Sequence, residues 1–432
     1  MKYDVVFLWK QNDSGIYGRR ADMILKELSL NQKIGNIIHF DAPINIDTLI
    51  KYNICEDAAN HQPVIHDITM DAYAGKKKVY GVKSYTYIYS KRGSGRKDYH
   101  ARNVYFKYVE KIIKENGIGE KNKILLWNCP VNYDLSNWIK FLKPAYVISD
   151  IIDDQRAWSQ NKKTNKKMTC NYKFTVKASD LLLVNSKEMQ DRVINIDKNA
   201  AKKLHLVSNG CEGFNTKILE KPDFLKTLKG PVIGLASNLE KKIDIELLEK
   251  CALKHPEWNI VLIGSTHASD GIERLFRYEN IRFCGVIPYE EAKRYIYHFD
   301  AAIIPHRIID VNKAMNPLKL YVYCSLGVDV VSTNIPGIDD LKGIIRVANT
   351  HDGFIEQIER ALKEKKKYNE NEISLINSYS WKNKVEKIFN YIGYYDYRKA
   401  KSRGKLSLSR NVIKINYRRL KHFLRAKINK PS

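Results

Sequence analysis

The sequence predicts an α/β protein made of two Rossmann-like, doubly wound domains, and three observations carry the prediction. Short apolar runs of strand length alternate with amphipathic helical stretches from residue 4 to about residue 195. The same alternation restarts at Pro231 and continues to Ser332, and a stretch of mixed character at 214–229 separates the two series. In such folds ligands sit beyond the carboxyl ends of the strands, so chemistry is expected in a cleft between the halves. The expected domains are 1–212 and 213–378, followed by a terminal helix at 379–397 that packs back towards the first domain, and a tail at 398–432.

In the first half, residues 4–9 read as a short buried strand, 11–18 as a polar loop containing glycine, and 20–28 as a helix, which together open a βα unit. Further strands are expected at 35–40, 124–127, 145–149 and 181–185, with helices around 102–116 and 187–195. The segment 80–102 is rich in Tyr, Lys, Arg and Gly and has no helical period, so it reads as a long functional loop or a β-ribbon.

In the second half, strands are expected at 231–236, 258–264, 281–284, 301–305 and 328–332. Helices are expected at 244–255, at 289–298 after Pro288, and at 317–326, the last closed by Gly327. A final helix is expected at about 381–391.

Composition narrows the classes. With 432 residues and 44% of them hydrophobic, the chain has core enough for two or three domains, which excludes disorder as a whole. Its seven cysteines are scattered too widely for a zinc ligand set or a disulfide framework, which points to a reducing compartment. The apolar stretch at the N-terminus is too short for a signal sequence, and no run approaches the ~20 residues that span a bilayer. The expectation is a cytoplasmic protein, soluble or peripheral.

The 74 Lys and Arg against 48 Asp and Glu leave a net charge of +26, and residues 398–432 hold 13 cations and no acid. In that tail Ile413, Tyr417, Leu420, Leu424 and Ile428 recur at helical spacing, and cations occupy the other faces. A basic amphipathic helix of this kind suits an anionic membrane surface, such as the inner face of the cell membrane, or packs on the protein's own body. A nucleic-acid partner would also explain the charge, but the tail carries no recognition motif, and none is expected.

Four blocks then stand in order: Trp258-Asn-Ile-Val-Leu-Ile-Gly264; Asn280-Ile-Arg-Phe-Cys-Gly285 leading to Pro288; Phe299-Asp-Ala-Ala-Ile-Ile-Pro305; and Asn316-Pro-Leu-Lys-Leu-Tyr-Val-Tyr-Cys-Ser-Leu-Gly327 running on to Val330-Val-Ser-Thr333. They resemble the donor-binding domain of glycosyltransferases with the GT-B architecture, specifically glycosyltransferase family 4 (group 1). Asn209-Gly210 looks like the family's turn before the interdomain linker. Tyr17-Gly-Arg-Arg20 and Ser149-Asp-Ile-Ile-Asp-Asp154 look like loop motifs of polysaccharide-assembly transferases.

The resemblance implies a nucleotide-sugar donor, UDP- or GDP-linked, and retention of anomeric configuration. The physics of the fourth block agrees with it. Asn316-Pro317 opens a helix with proline where its missing N–H costs little, so free amides and the positive end of the dipole meet the cleft. Lys319 adds a point charge suited to a diphosphate leaving group. Lys241 and Lys242 sit where the family commonly places a basic residue, or are simply solvated. Arg307, after the strand ending at Pro305, is a further phosphate contact.

In the first half Asp153 takes the strand-end position that faces sugar and acceptor in relatives, where a carboxylate orients a hydroxyl or assists its deprotonation; the other reading is that Asp153 and Asp154 cap the next helix. Gly15, Arg19 and Arg20 belong to the first loop, expected to face the cleft and contact phosphate or acceptor. The histidines lack metal-ligand spacing and no Asp-x-Asp element ends a donor-domain strand, so no metal is expected.

The chain departs from the family in one helix. Where relatives carry a ribose-binding glutamate it has Val322, and an earlier carboxylate is replaced by Ala314. Asp310, Tyr321 or backbone groups would have to substitute. The expected function is transfer of a hexosyl group from a nucleotide sugar to a lipid-linked or cell-surface glycan. The alternative is an inactive GT-B relative that binds glycan or regulates a partner transferase.

Overall fold

Strand Tyr3–Trp9 is buried along its whole length, as the apolar run from Val5 onward requires of a central parallel strand. It pairs in parallel with Ile34–Phe40 on one side and Lys123–Cys129 on the other. The computed structural model describes residues 2–53, 62–90, 102–132, 134–158, 161–239, 241–266, 271–309 and 313–402.

Around that strand the first sheet grows to eight strands, in the order Leu204–Leu206, Leu181–Val184, Tyr146–Ile151, Lys123–Cys129, Tyr3–Trp9, Ile34–Phe40, Val82–Tyr85 and Lys78–Val79. All neighbours are parallel except the edge pair Lys78–Val79 and Val82–Tyr85. That pair is a hairpin turned at Tyr80 and Gly81, with φ of 47° and 83°, the geometry of a primed turn. Of the two readings for 80–102, a β-ribbon therefore holds for its beginning. Ile88–Tyr89 pairs instead with Ile44–Asn45, and 91–101 lie outside the described residues.

The second sheet has six parallel strands in the order Ile281–Phe283, Asn259–Ile263, Val232–Ala236, Ala301–Ile304, Val330–Thr333 and Arg346–Ala348. Helices cover both faces, and the core divides accordingly. Ile233, Leu235, Ile260 and Leu262 pack under Ile245–Lys254 and His351–Glu364, while Val261, Ile263, Ala302 and Ile304 pack under Leu318–Ser325. This is the doubly wound α/β arrangement the sequence predicts.

The expected elements recur with shifts of a residue or two, except that the last helix, expected at about 381–391, runs on to Ser402, and several helices were not anticipated: Ile46–Asn53, Gln62–Tyr73, Leu135–Leu142, Lys162–Ala178, His351–Glu364 and Glu370–Ser378. Lys162–Ala178 shows why. Of its 17 residues only Tyr172, Thr175 and Val176 are buried, so its apolar stripe is too sparse to read.

The chain divides into a compact unit up to Val385 and a second unit from Glu386. Helix Trp381–Ser402 begins in the first and runs into the second. Inside the first unit, Trp381 N–H donates to the Cys211 carbonyl at 2.8 Å, and the Lys384 ammonium reaches Ser208 Oγ at 3.2 Å. Most of the tail expected at 398–432 lies outside the described residues, namely 403–432. Among the described residues no helix is long and apolar enough to cross a membrane.

Candidate active site

The residues singled out from the sequence lie in segments that follow the carboxyl ends of strands in both halves. On the second half, strand Ala301–Ile304 leads into Pro305, buried His306 and exposed Arg307. Arg307 N–H donates to the Lys242 carbonyl at 2.8 Å and its guanidinium donates to the Lys241 carbonyl, so two hydrogen bonds join the 241–242 loop to the 306–307 turn. An antiparallel bridge between Ile243 and His306 completes the pair.

The helix of the fourth block runs Leu318–Ser325, with Pro317 as its N-cap, one residue later than the sequence suggested. Lys319 lies in its first turn. Its ammonium donates to Ser237 Oγ at 2.7 Å and lies 3.1 Å from His306 Nε2. Ser237 follows the end of strand Val232–Ala236, and its loop can sit so close only because residue 264 is glycine: at φ 139° a Cβ there would stand 1.8 Å from the Ser237 carbonyl.

Asn316, expected among the donor contacts, has a different set of partners. Its Oδ1 accepts from Asn209 N–H at 2.6 Å, and its Nδ2 donates to Tyr321 Oη at 2.9 Å and to the Gly337 carbonyl at 2.8 Å. Asn209 Nδ2 returns a bond of 2.7 Å to the Asn316 carbonyl. The buried Asn209–Asn316 pair thus ties the end of the first half to the start of the helix.

On the first half, Asp153 follows strand Tyr146–Ile151 in a left-handed conformation, φ 52°, which a non-glycine residue adopts at a cost. Asn185 Nδ2 is 3.4 Å from its Oδ1, and Tyr172 Oη donates to its carbonyl at 3.3 Å. Burial pushes the Asp153 carboxyl up, opposed by Asn185 and by the charges of Lys10, Lys242 and Arg19. Lys242 belongs to the second half, so charges from both halves act on Asp153. Burial likewise pushes the Lys10 ammonium down, with Asp153 opposing.

The neighbour Asp154 does the capping that had been open to both carboxylates. It accepts from Arg156 N–H at 3.1 Å, takes two bonds of 2.8 Å from the Arg156 guanidinium, and pairs with Arg192 at 3.0 Å. The Asp153 carboxyl takes no part in that cap.

The first loop separates its candidates. Gly15, φ 86°, gives its N–H to Asp22 Oδ1 and Arg19 gives its N–H to Asp22 Oδ2, each at 2.9 Å, and burial lifts the Asp22 carboxyl to about 7. The Arg19 guanidinium pairs with Asp13 at 2.8 Å and lies over the Tyr17 ring. Arg20 is a correction. It begins helix Arg20–Ser29 but is only 2% exposed, with Nε on Asp150 Oδ2 at 2.8 Å and Nη1 on the Ser208 carbonyl at 3.1 Å. The pairing with Asp150 ties the guanidinium into the interior, where its Nη2 is buried without a hydrogen-bond partner.

Lys10, Asn185, Ser237 and the contact of His306 with Lys319 were not singled out from the sequence. Lys10, Asn185, Ser237 and His306 each lie within two residues of the end of a strand, so strand-end position was the available signal. Of the proposed substitutes for the missing ribose ligand, Tyr321 is occupied, donating to Asp340 Oδ2 at 2.6 Å, and Asp310 lies outside the described residues. Ala314 is fully buried beside Val131, Ile151, Leu182 and Met189, and its carbonyl accepts from Ser186 Oγ at 2.6 Å. A carboxylate at 314 would sit in that apolar packing.

The two facing parallel domains recur in solved structures. HepE of Anabaena, in complex with UDP and glucose, is 13% identical with a TM-score of 0.52, covering 93% of this chain and 99% of that one. Sucrose-phosphate synthase of Thermosynechococcus elongatus is 12% identical with a TM-score of 0.54, covering 93% and 99%. The architecture is GT-B. Residues 230–364 match the family model "Glycosyl transferases group 1". A Bacillus subtilis (strain 168) protein with the provisional name teichuronic acid biosynthesis glycosyltransferase TuaH is 25% identical over 222 residues, 50% of this chain and 50% of that protein. The alignment thus spans about half the length of this curated relative. The likeness to group 1 glycosyl transferases thus lies in the second half of the chain.

Proposed function

We propose that the protein transfers a hexosyl group from a nucleotide sugar to a cell-surface or lipid-linked glycan. The observation that carries the reading is the pairing of two chemistries across one cleft: Lys319 at a helix start in the second half, and the Asp153 carboxyl in the first, within the field of Lys242. The helix start and Lys319, with Arg307 and the 241–242 loop alongside, would neutralise the nucleoside diphosphate as it leaves, without a metal ion. Asp153 would orient the acceptor hydroxyl or take its proton, and closure of the halves would keep water from the activated sugar.

HepE, crystallised with UDP and glucose and with UDP-glucose, supports a nucleotide-linked donor, and the teichuronic acid relative supports a polysaccharide acceptor. Retention follows from the resemblance to family 4. The 13 cations of residues 398–432 and their apolar stripe support a place on the inner face of the cell membrane. The test is turnover: with a cell-envelope glycan as acceptor, the protein should release UDP or GDP from one donor class, with undiminished rate in a chelator.

A second reading rests on Val322 and Ala314, which replace two carboxylates, and makes the chain a glycan-binding relative without turnover. Release of no nucleotide from any donor, with retained glycan binding, would favour it.

A further inference from the structure

Lys319 is held from two sides. Its ammonium donates to Ser237 Oγ at 2.7 Å and lies 3.1 Å from Nε2 of His306. An ammonium only donates, so this contact requires a lone pair on Nε2 and the ring proton on Nδ1. His306 is only 5% exposed and its backbone is fixed. Its N–H donates to Thr333 Oγ1 at 3.1 Å, its carbonyl accepts from the Thr333 hydroxyl at 2.8 Å, and it bridges to Ile243.

The chemistry of these partners is suited to an anion site. A hydroxyl and a neutral imidazole each hold an ammonium without themselves bringing negative charge to it. Burial, together with the nearby cations Lys319 and Lys242, holds the His306 ring well below its usual range, so the ring remains an acceptor at neutral pH. We propose that His306 is a positioning residue of the donor site: through Nε2 it sets the place of the Lys319 ammonium, and with it the affinity for the donor's diphosphate. This rests on the donor-site reading above and adds a residue that acts through Lys319 rather than on the ligand itself.

Two measurements test it. In the ligand-free protein, nitrogen-15 histidine spectra, with the His306 signal identified by its loss in His306→Gln, should show a neutral ring with the proton on Nδ1 from about pH 6 to 8. A proton on Nε2, or an imidazolium in that range, would overturn the proposal. In calorimetric titrations with UDP and GDP, His306→Leu should weaken whichever diphosphate binds by about tenfold and leave the bare nucleoside unaffected. His306→Gln, which keeps an acceptor oxygen, should recover most of the loss, and it serves as the test variant if His306→Leu does not fold. On a Lys319→Met background, the His306 substitution should cost nothing further. An additive loss there, or an equal loss of nucleoside binding, contradicts the proposal. If the wild-type protein binds neither UDP nor GDP, the donor reading fails, and the spectra still decide whether His306 holds Lys319.

Discussion

Gly18 and Tyr289 touch across the two halves so closely that a Cβ on Gly18 would lie 2.3 Å from Cγ of the tyrosine ring. Beside them, Tyr289 N–H donates to the Ile16 carbonyl at 2.7 Å. Glu212 gathers Lys26 of the first half with Lys293 and the Tyr289 hydroxyl of the second. The loop that follows the first strand is thus clamped against helix Tyr289–Tyr297.

Gly18→Ala should therefore be destabilising twice over, through its φ of 58° and through the clash with the ring, by about 2–4 kcal/mol in urea unfolding. Combining it with Tyr289→Ala should recover part of the loss, because the ring that clashes is gone. Simple additivity of the two would show that the contact is not what constrains Gly18.

Arg20→Ala should cost about 3–5 kcal/mol of stability by leaving Asp150 buried without its partner. At temperatures where the variant is folded, its KM for acceptor should match the wild type. A large KM effect with unchanged stability would return Arg20 to the acceptor site.

His39 supplies a pH dependence. It is wholly buried, with Nδ1 2.7 Å from Ser84 Oγ, and burial lowers its pKa from 6.5 to about 4, with Asp41 opposing and Lys77 reinforcing. The unfolded chain then binds more protons between those values, so stability is complete above pH 6.5 and falls as pH drops towards 4, by about 3 kcal/mol from this group. Unfolding followed against pH should show a shallower slope over that window in His39→Gln.

Much of this architecture was legible in the sequence because strands such as Tyr3–Trp9 and Asn259–Ile263 stand as short buried runs between helical stretches. The Lys319 helix was legible because proline marks its start. Arg20 was misread because sequence places it beside Arg19 in a loop, while its partner Asp150 is 130 positions away. Asn316 was assigned to the ligand for a similar reason: its partner Asn209 lies 107 positions off. Pairings of that separation leave no local pattern. By contrast, Asp153 and Asp154 differ only through their backbone, and φ is not written in two identical letters.

Asp153→Asn should lower the transfer rate about 10²–10⁴-fold with little change in donor binding. Because burial raises the Asp153 carboxyl, the acid limb of the wild-type rate should fall above the ordinary carboxylate range, with activity rising as pH rises through it. The variant should lack that limb. A residual rate with the same limb would assign it to another group.

The central claim is that Lys319 and its helix start hold the diphosphate of a nucleotide sugar, and thermal unfolding tests it most directly. Binding to the folded state raises the melting temperature by mass action, by about 2.7 kcal/mol of stability at a hundredfold excess over Kd. One class among UDP-, GDP-, ADP- and dTDP-sugars should raise the melting temperature, equally with magnesium or chelator, and Lys319→Ala should abolish the rise. No rise with any of them, or an undiminished rise in Lys319→Ala, would contradict it.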